Sequence, residues 1–159
     1  MVRRLKILLL GVMVVCGLTG CGGSNDQKIV RPDVHILADK LTDGVEFEDS
    51  VEEISLERAL KYYGIDSSMV KDGEVHMSTG ATSEEMAVFD TTSAAAASTI
   101  LDKLTARRDD RVKMYISDKP SEVTRLDNAV LYIHDCFVVY VVSDDSDGAE
   151  SIIKGYIEQ

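Results

Sequence analysis

Ala129-Val130-Leu131-Tyr132-Ile133-His134-Asp135-Cys136-Phe137-Val138-Val139-Tyr140-Val141-Val142-Ser143 is the stretch whose reading decides the fold. Two runs rich in β-branched and aromatic residues meet at a short polar break, so the segment reads as two strands, 129–134 and 136–143, with a tight connection around Asp135. The second run is apolar from Cys136 through Val142. Such a strand has no side to give to water, which places it in the body of a sheet, covered on both faces or paired at the sheet middle.

Working outward, polar Asp144-Asp145-Ser146-Asp147 ends that strand sharply. A closing helix follows, with Ala149, Ile152, Ile153 and Tyr156 on one stripe and Asp147 and Glu150 at capping-box spacing. Upstream, Pro120 marks a loop, and before it a long helix is expected from a cap at Thr92 or Ser93. It turns Ala97, Ile100, Leu101, Leu104, Val112 and Tyr115 to the core, and Arg107-Arg108-Asp109-Asp110-Arg111 reads as a solvated face. Val75 and Met77 alternate with His76 and Ser78, and Met86 to Phe89 continue as a second strand across the Ser78–Ser83 loop, which together predict a hairpin. Near the start of the fold, Pro32 opens a short helix carrying Val34, Leu37, Ala38 and Leu41 up to Gly44. Val45 and Phe47 form a brief extended piece, and Ser55 caps a helix through Leu56, Ala59, Leu60 and Tyr63 that Gly64 stops.

The predicted order is α-α-β-β-α-β-β-α. Hairpins force antiparallel neighbours, so the expected class is α+β, a four-stranded, mainly antiparallel sheet with helices packed on at least one face.

The first two dozen residues carry a different signal. Arg3, Arg4 and Lys6 precede an apolar run, Ile7 to Leu18, that ends in Leu18-Thr19-Gly20-Cys21. A basic start, an apolar stretch and small residues before a cysteine are the parts of a secretory signal with a lipoprotein cleavage box. The run is well short of the roughly 20 residues a spanning helix needs. Cleavage between Gly20 and Cys21 would make Cys21 the first mature residue, its thiol taking a diacylglycerol whose two chains anchor stably where one does not. The expected organisation is a signal peptide over 1–20, a flexible tether over 21–31 and a single α+β domain over 32–159. A tether of about 12 polar residues reaches roughly 20 Å. The expected location is therefore the cell membrane, lipid-anchored on the extracytoplasmic face.

The signal holds three of the 17 basic residues and none of the 28 acidic ones, so 14 basic and 28 acidic groups remain, a net of −14. Such a body is repelled by nucleic acid and by anionic membrane surfaces. Its expected partners are the membrane, through lipid at Cys21, and an envelope protein or cell-wall component; no nucleic acid is expected. Of three cysteines only Cys136 falls in the domain, so no internal disulfide forms there, and its apolar neighbours read it as a core or near-core residue.

No residue pattern carries a catalytic signature: G-x-S-x-G and H-E-x-x-H are both absent from the sequence. Asp144, Asp145 and Asp147 lack the spacing of a calcium loop and read instead as charge at a helix N-terminus. His35, His76 and His134 fall on three elements, and His134 with Cys136 lacks the further ligands zinc requires. No catalytic residue, metal or cofactor is assigned. The reading is a non-enzymatic binding or accessory module near the membrane. The alternative is a small-ligand receptor or enzyme with a site assembled from His76, His134 and the Ser78–Ser83 loop, whose backbone N–H groups could cradle an anion.

The lipoprotein start, Leu37-Ala38-Asp39-Lys40-Leu41, Tyr63-Gly64-Ile65-Asp66, Ser83-Glu84-Glu85-Met86-Ala87-Val88-Phe89 and Val139-Tyr140-Val141-Val142-Ser143-Asp144-Asp145 together resemble a bacterial lipoprotein family, the domain of unknown function 4358. The resemblance extends over nearly the whole mature chain. It implies an envelope lipoprotein, palmitate-bearing, on the outer face of a single Gram-positive membrane, and brings no catalytic residues with it. Where members of the family commonly have a glycine-containing turn between the last strands, this chain has His134-Asp135.

Overall fold

A computed structural model describes residues 32–158. Along them the chain forms α1 (Val34–Gly44), β1 (Val51–Ile54), α2 (Leu56–Tyr63), a single 3-10 turn at Ser67–Met69, β2 (Val70–Ser78) and β3 (Glu85–Thr91). It continues with α3 (Ala94–Tyr115), α4 (Pro120–Asp127), β4 (Val130–His134), β5 (Phe137–Val142) and α5 (Ser146–Ile157). The signal, Gly20, Cys21 and the tether lie outside the described residues.

The sheet has five strands in the order β1-β2-β3-β5-β4, every pair antiparallel. The apolar run sits as its composition demands: β5 lies between β3 and β4, and all six of its residues are buried. Alternation splits them. Val138, Tyr140 and Val142 join Val75, Ala87 and Phe89 under α2, α3 and α4, where Leu60, Tyr63, Ile100, Leu104 and Leu126 pack. Phe137, Val139 and Val141 join Met86 and Val88 under α1 and α5, against Leu37, Leu41 and Ile153. Helices therefore cover both faces. Burial of each such large apolar side chain contributes about 1.5–3 kcal/mol, so the two cores and not the helix propensities hold the layers together.

Helix ends follow the local chemistry read from the sequence. Asp33 accepts from the N–H groups of His35 and Ile36 at the start of α1, and Gly64, at φ 63°, supplies the left-handed residue that ends α2. Ser93 caps α3 through the Ala96 N–H. At α5 the cap is Asp145, bonded to the Gly148 N–H, so Asp147 stands in the first turn and not at the cap.

Two expectations need correction. The sheet has five strands, not four, because Val51-Glu52-Glu53-Ile54 pairs with Val75 to Ser78 as an edge strand. Its two apolar residues stand three apart, so it shows neither strand alternation nor a helical stripe, and Val45 and Phe47, which were expected to be extended, precede it outside any strand. The described helices number five, because the expected loop at Pro120 holds α4, with proline in the first turn. The buried positions of α4 include Glu122 and Arg125. A helix whose inward face is charged leaves no apolar periodicity to read.

Candidate functional site

Glu84 immediately precedes β3 and Glu85 is its first residue. Both are about 1 % exposed, and each meets arginine.

Glu84 lies on the side of Arg125, itself 3 % exposed. All three nitrogens of the Arg125 guanidinium donate: Nε to Asp144 Oδ1 at 3.0 Å, Nη1 to the two oxygens of Glu122 at 2.9 and 2.7 Å, and Nη2 to Asp144 Oδ2 at 2.7 Å and to Glu48. Glu84 Oε1 stands 3.8 Å from Arg125 Nε and accepts the Glu48 N–H, while Oε2 accepts the Asp49 N–H, each at 2.8 Å. One guanidinium thus holds four carboxylates. Hydrogen bonding to Asp144 first of all raises the Arg125 pKa, and Arg125 in turn lowers that of Asp144. Burial pushes Glu122 up, but the Ser83 N–H and Arg125 more than offset this and hold it below the usual carboxylate range.

Glu85 has the inverse arrangement, one carboxylate against two guanidiniums. Arg107 Nε lies 3.0 and 3.1 Å from its two oxygens and Nη2 donates to Oε2 at 2.8 Å, while Arg111 Nη1 stands 3.1 Å from Oε1. The Arg107 guanidinium also lies 5.0 Å from the centroid of the Tyr63 ring. Burial opposes the charge on Arg107 and Arg111, and Glu85 more than restores it. Burial, with the charge of Glu85 adding to it, pushes the Tyr63 and Tyr140 phenols up, so both stay protonated donors. The Tyr63 hydroxyl makes no hydrogen bond among the described residues, and the Tyr140 hydroxyl faces Glu85. Donors exceed acceptors here. The expected solvated face of α3 is therefore only half solvated: Arg107 and Arg111 continue the stripe of Ala97, Ile100 and Leu104 at spacings of three and four.

Beside this cluster, Glu52, Ile54, Arg58, Tyr62, Met77, Ser78, Thr79, Gly80 and Arg107 line a groove of about 340 Å³. Arg58 Nε and Nη2 donate to the Tyr62 hydroxyl at 3.2 and 3.0 Å. A larger groove, about 630 Å³, lies between α1 and α5 and is lined by Ile36, Lys40, Ile152, Gly155 and Tyr156 among others.

The residues of the alternative site do not come together. His76 is on β2 and His134 on β4, with β3 and β5 between them; at about 4.8 Å per strand the two are well beyond contact. His76 Nε2 instead meets Glu74 Oε1 at 2.8 Å, and His35 Nδ1 meets Glu74 Oε2 at 2.5 Å. His134 faces Asp135 at 3.8 Å, and Cys136 is half-buried at the hairpin. The Ser78–Ser83 loop does cradle anions, and they are the chain's own. Asp49 Oδ2 accepts from Thr79 N and Oγ1 at 3.0 and 2.7 Å, and Glu122 Oε2 from Ser83 N at 2.6 Å. Among the described residues, no helix is long and apolar enough to cross a membrane.

The sequence signal for the ion clusters was present in part. Two adjacent glutamates open the apolar run of β3, and two arginines stand four apart on a core stripe; Arg125, alone in a segment without periodicity, gave none.

A five-stranded antiparallel sheet with helices on both faces, and ion clusters that pin its loops, defines a small α+β domain. Residues 44–143 match the family described as Domain of unknown function (DUF4358), and the chain belongs to that family. The match is narrower than the expected resemblance. It takes in the whole sheet, α2, α3, α4 and every residue of the 340 Å³ groove, and leaves α5 and all of α1 but Gly44 outside. No curated protein and no solved structure matches the chain.

Proposed function

We propose that this chain is a lipid-anchored lipoprotein of the extracytoplasmic membrane face, its α+β domain serving as a binding or accessory module for an envelope component and not as a catalyst. The observation that carries the non-catalytic half is the state of the buried ionisable groups. Glu84, Glu85, Glu122 and Arg125 are each fixed by an opposite charge or a backbone N–H, and together they fasten the Glu48–Asp49 segment and the Ser78–Ser83 loop to α3 and α4. Groups held in this way serve as structure. They are not poised to exchange protons with a substrate.

The anchor half rests on the sequence from Arg3 to Cys21, and α1 begins at Val34, a short tether beyond that cysteine. The test is Cys21→Ser in intact cells fed labelled palmitate. The label and the membrane fraction are both expected to be lost, and a variant that kept both would overturn the anchor.

A further inference from the structure

The 340 Å³ groove beside Glu85 brings unspent guanidinium donors against an apolar wall. Arg107 commits Nε and Nη2 to Glu85, and its Nη1 makes no hydrogen bond among the described residues. Arg58 commits Nε and Nη2 to Tyr62, and its Nη1 is likewise unengaged. Both arginines line the same groove, with Ile54 and Met77 as apolar wall and Glu52 as its acidic member. The Arg107 guanidinium is held in place by a carboxylate 1 % exposed and by the Tyr63 ring at 5.0 Å. A cation fixed before the ligand arrives loses little freedom on binding.

The local charge is opposite in sign to that of the whole chain, whose formal net is −11. Two arginines on Glu85 leave one positive charge over, and Arg58 adds a second. Glu52 subtracts one. An acceptor-bearing ligand satisfies the free N–H groups, and an aliphatic group satisfies Ile54 and Met77. A doubly charged anion meets Glu52.

We propose that this groove binds the carboxylate of a small aliphatic monocarboxylate, held between Arg58 and Arg107 with its alkyl group on Ile54 and Met77. The assignment rests on the binding-module reading and supplies its ligand class. The charge of a carboxylate is satisfied by N–H donors in a planar fork, and the volume suits a ligand of a few heavy atoms. Both a free short-chain acid and the C-terminal residue of a peptide have this chemistry.

The experiment uses full-length protein in neutral detergent micelles, 15N-labelled, titrated with isovalerate, N-acetyl-valine, N-acetyl-valine amide and inorganic phosphate, with amide shifts as readout. Ligands this small bind at about 1 mM. Shifts are expected at Met77 to Gly80 and around Arg107 with both acids, and the tighter of the two identifies the source. The amide is expected to bind at least about tenfold more weakly. Arg58→Gln, at an exposed position that leaves the Glu85 cluster whole, should weaken the acids about fivefold. Glu52→Gln should improve phosphate relative to the acids. Equal binding of acid and amide, phosphate as good a ligand as isovalerate in the native chain, or no shift at about ten times that concentration overturns the proposal. None of these outcomes touches the anchor, which Cys21→Ser tests separately.

Discussion

The two ion clusters at the start of β3 are opposite in stoichiometry, and that difference separates what fastens the fold from what is left to bind. Arg125 faces Glu48, Glu84, Glu122 and Asp144, and each of its three nitrogens donates to a carboxylate. Glu85 faces Arg107 and Arg111, so its lone pairs are spent while the guanidiniums keep N–H groups in reserve. A saturated cation closes a site, and a saturated anion between two cations leaves one open. Adjacent glutamates thus do unlike work, Glu84 beside Arg125 of α4 and Glu85 between Arg107 and Arg111 of α3.

The sharpest way to break this comparison is Arg125→Met. Removing one partner of a buried ion pair strands the others, at a cost of about 3–5 kcal/mol, and here Glu84 and Glu122 would be stranded together. In the native chain Glu122 and Asp144 have lowered pKa values. Their contribution is therefore complete above the unfolded carboxylate range and is lost as pH falls through the depressed folded values. In Arg125→Met the sign inverts, because uncompensated buried carboxylates have raised pKa values. Urea unfolding should then show the variant gaining stability from pH 7 to pH 5. A flat profile would mean that the four carboxylates do not depend on Arg125.

Arg107→Gln should cost less, about 1.5–3 kcal/mol for charge-assisted bonds, since Arg111 still holds Glu85. A double-mutant cycle with Glu85→Gln measures the coupling. If Arg107→Gln proves as damaging as Arg125→Met, the two clusters are not built differently and the groove loses its reserve of donors.

Much of this was readable from the residues, and the exceptions have a common cause. Apolar alternation placed β2, apolar and β-branched runs placed β3, β4 and β5, and helical stripes with their caps placed α1, α2, α3 and α5. β1 escaped because two glutamates separate its apolar ends and it pairs on one side only. α4 escaped because charges fill its inward face. Periodicity reports burial only where the buried residues are apolar. The Arg125 cluster draws Glu48, Glu84, Glu122 and Asp144 from four separate parts of the chain, so its recognition needs the register that brings them together. The groove was half legible, in the Ser78–Ser83 loop, but that loop binds the chain's own Asp49 and Glu122.

A third ion cluster, between α1 and β2, supplies the contrast that sharpens the first two. His35 on α1 meets Glu74 at 2.5 Å and Asp72 at 3.4 Å, with His76 on the far oxygen of Glu74. The hydrogen bond to Glu74, and then the charges of Asp72, Glu74 and Asp33, raise the His35 pKa above 6.5, while burial opposes them. A raised folded value means that the stabilisation is full below pH 6.5 and is lost as pH climbs through the folded pKa. His35 is 58 % exposed, so the loss should stay within about 1 kcal/mol. Melting temperatures between pH 6 and pH 8.5 should fall slightly in the native chain and lose that slope in Glu74→Gln. A slope that persists in the variant would assign it elsewhere.

The smallest effect belongs to the β4–β5 hairpin, where no ion cluster operates and the backbone alone sets the geometry. His134 pairs with Phe137, and Asp135 stands in the left-handed region at φ 51°. Aspartate tolerates that conformation better than most residues, and glycine adopts it without a Cβ penalty. The turn is held from outside, the Cys136 carbonyl accepting from Thr91 N and Oγ1, each at 2.8 Å, and a change of side chain at Asp135 leaves both bonds intact. The Asp135 carboxylate is 89 % exposed and 3.8 Å from His134, an interaction worth little in water. Asp135→Gly should therefore stabilise by about 0.5 kcal/mol and Asp135→Val should destabilise by about 1 kcal/mol. Thermal melts that placed valine level with aspartate would show that the hairpin can close without a left-handed residue, and its register would then be set by the paired faces of β4 and β5 instead of by the turn.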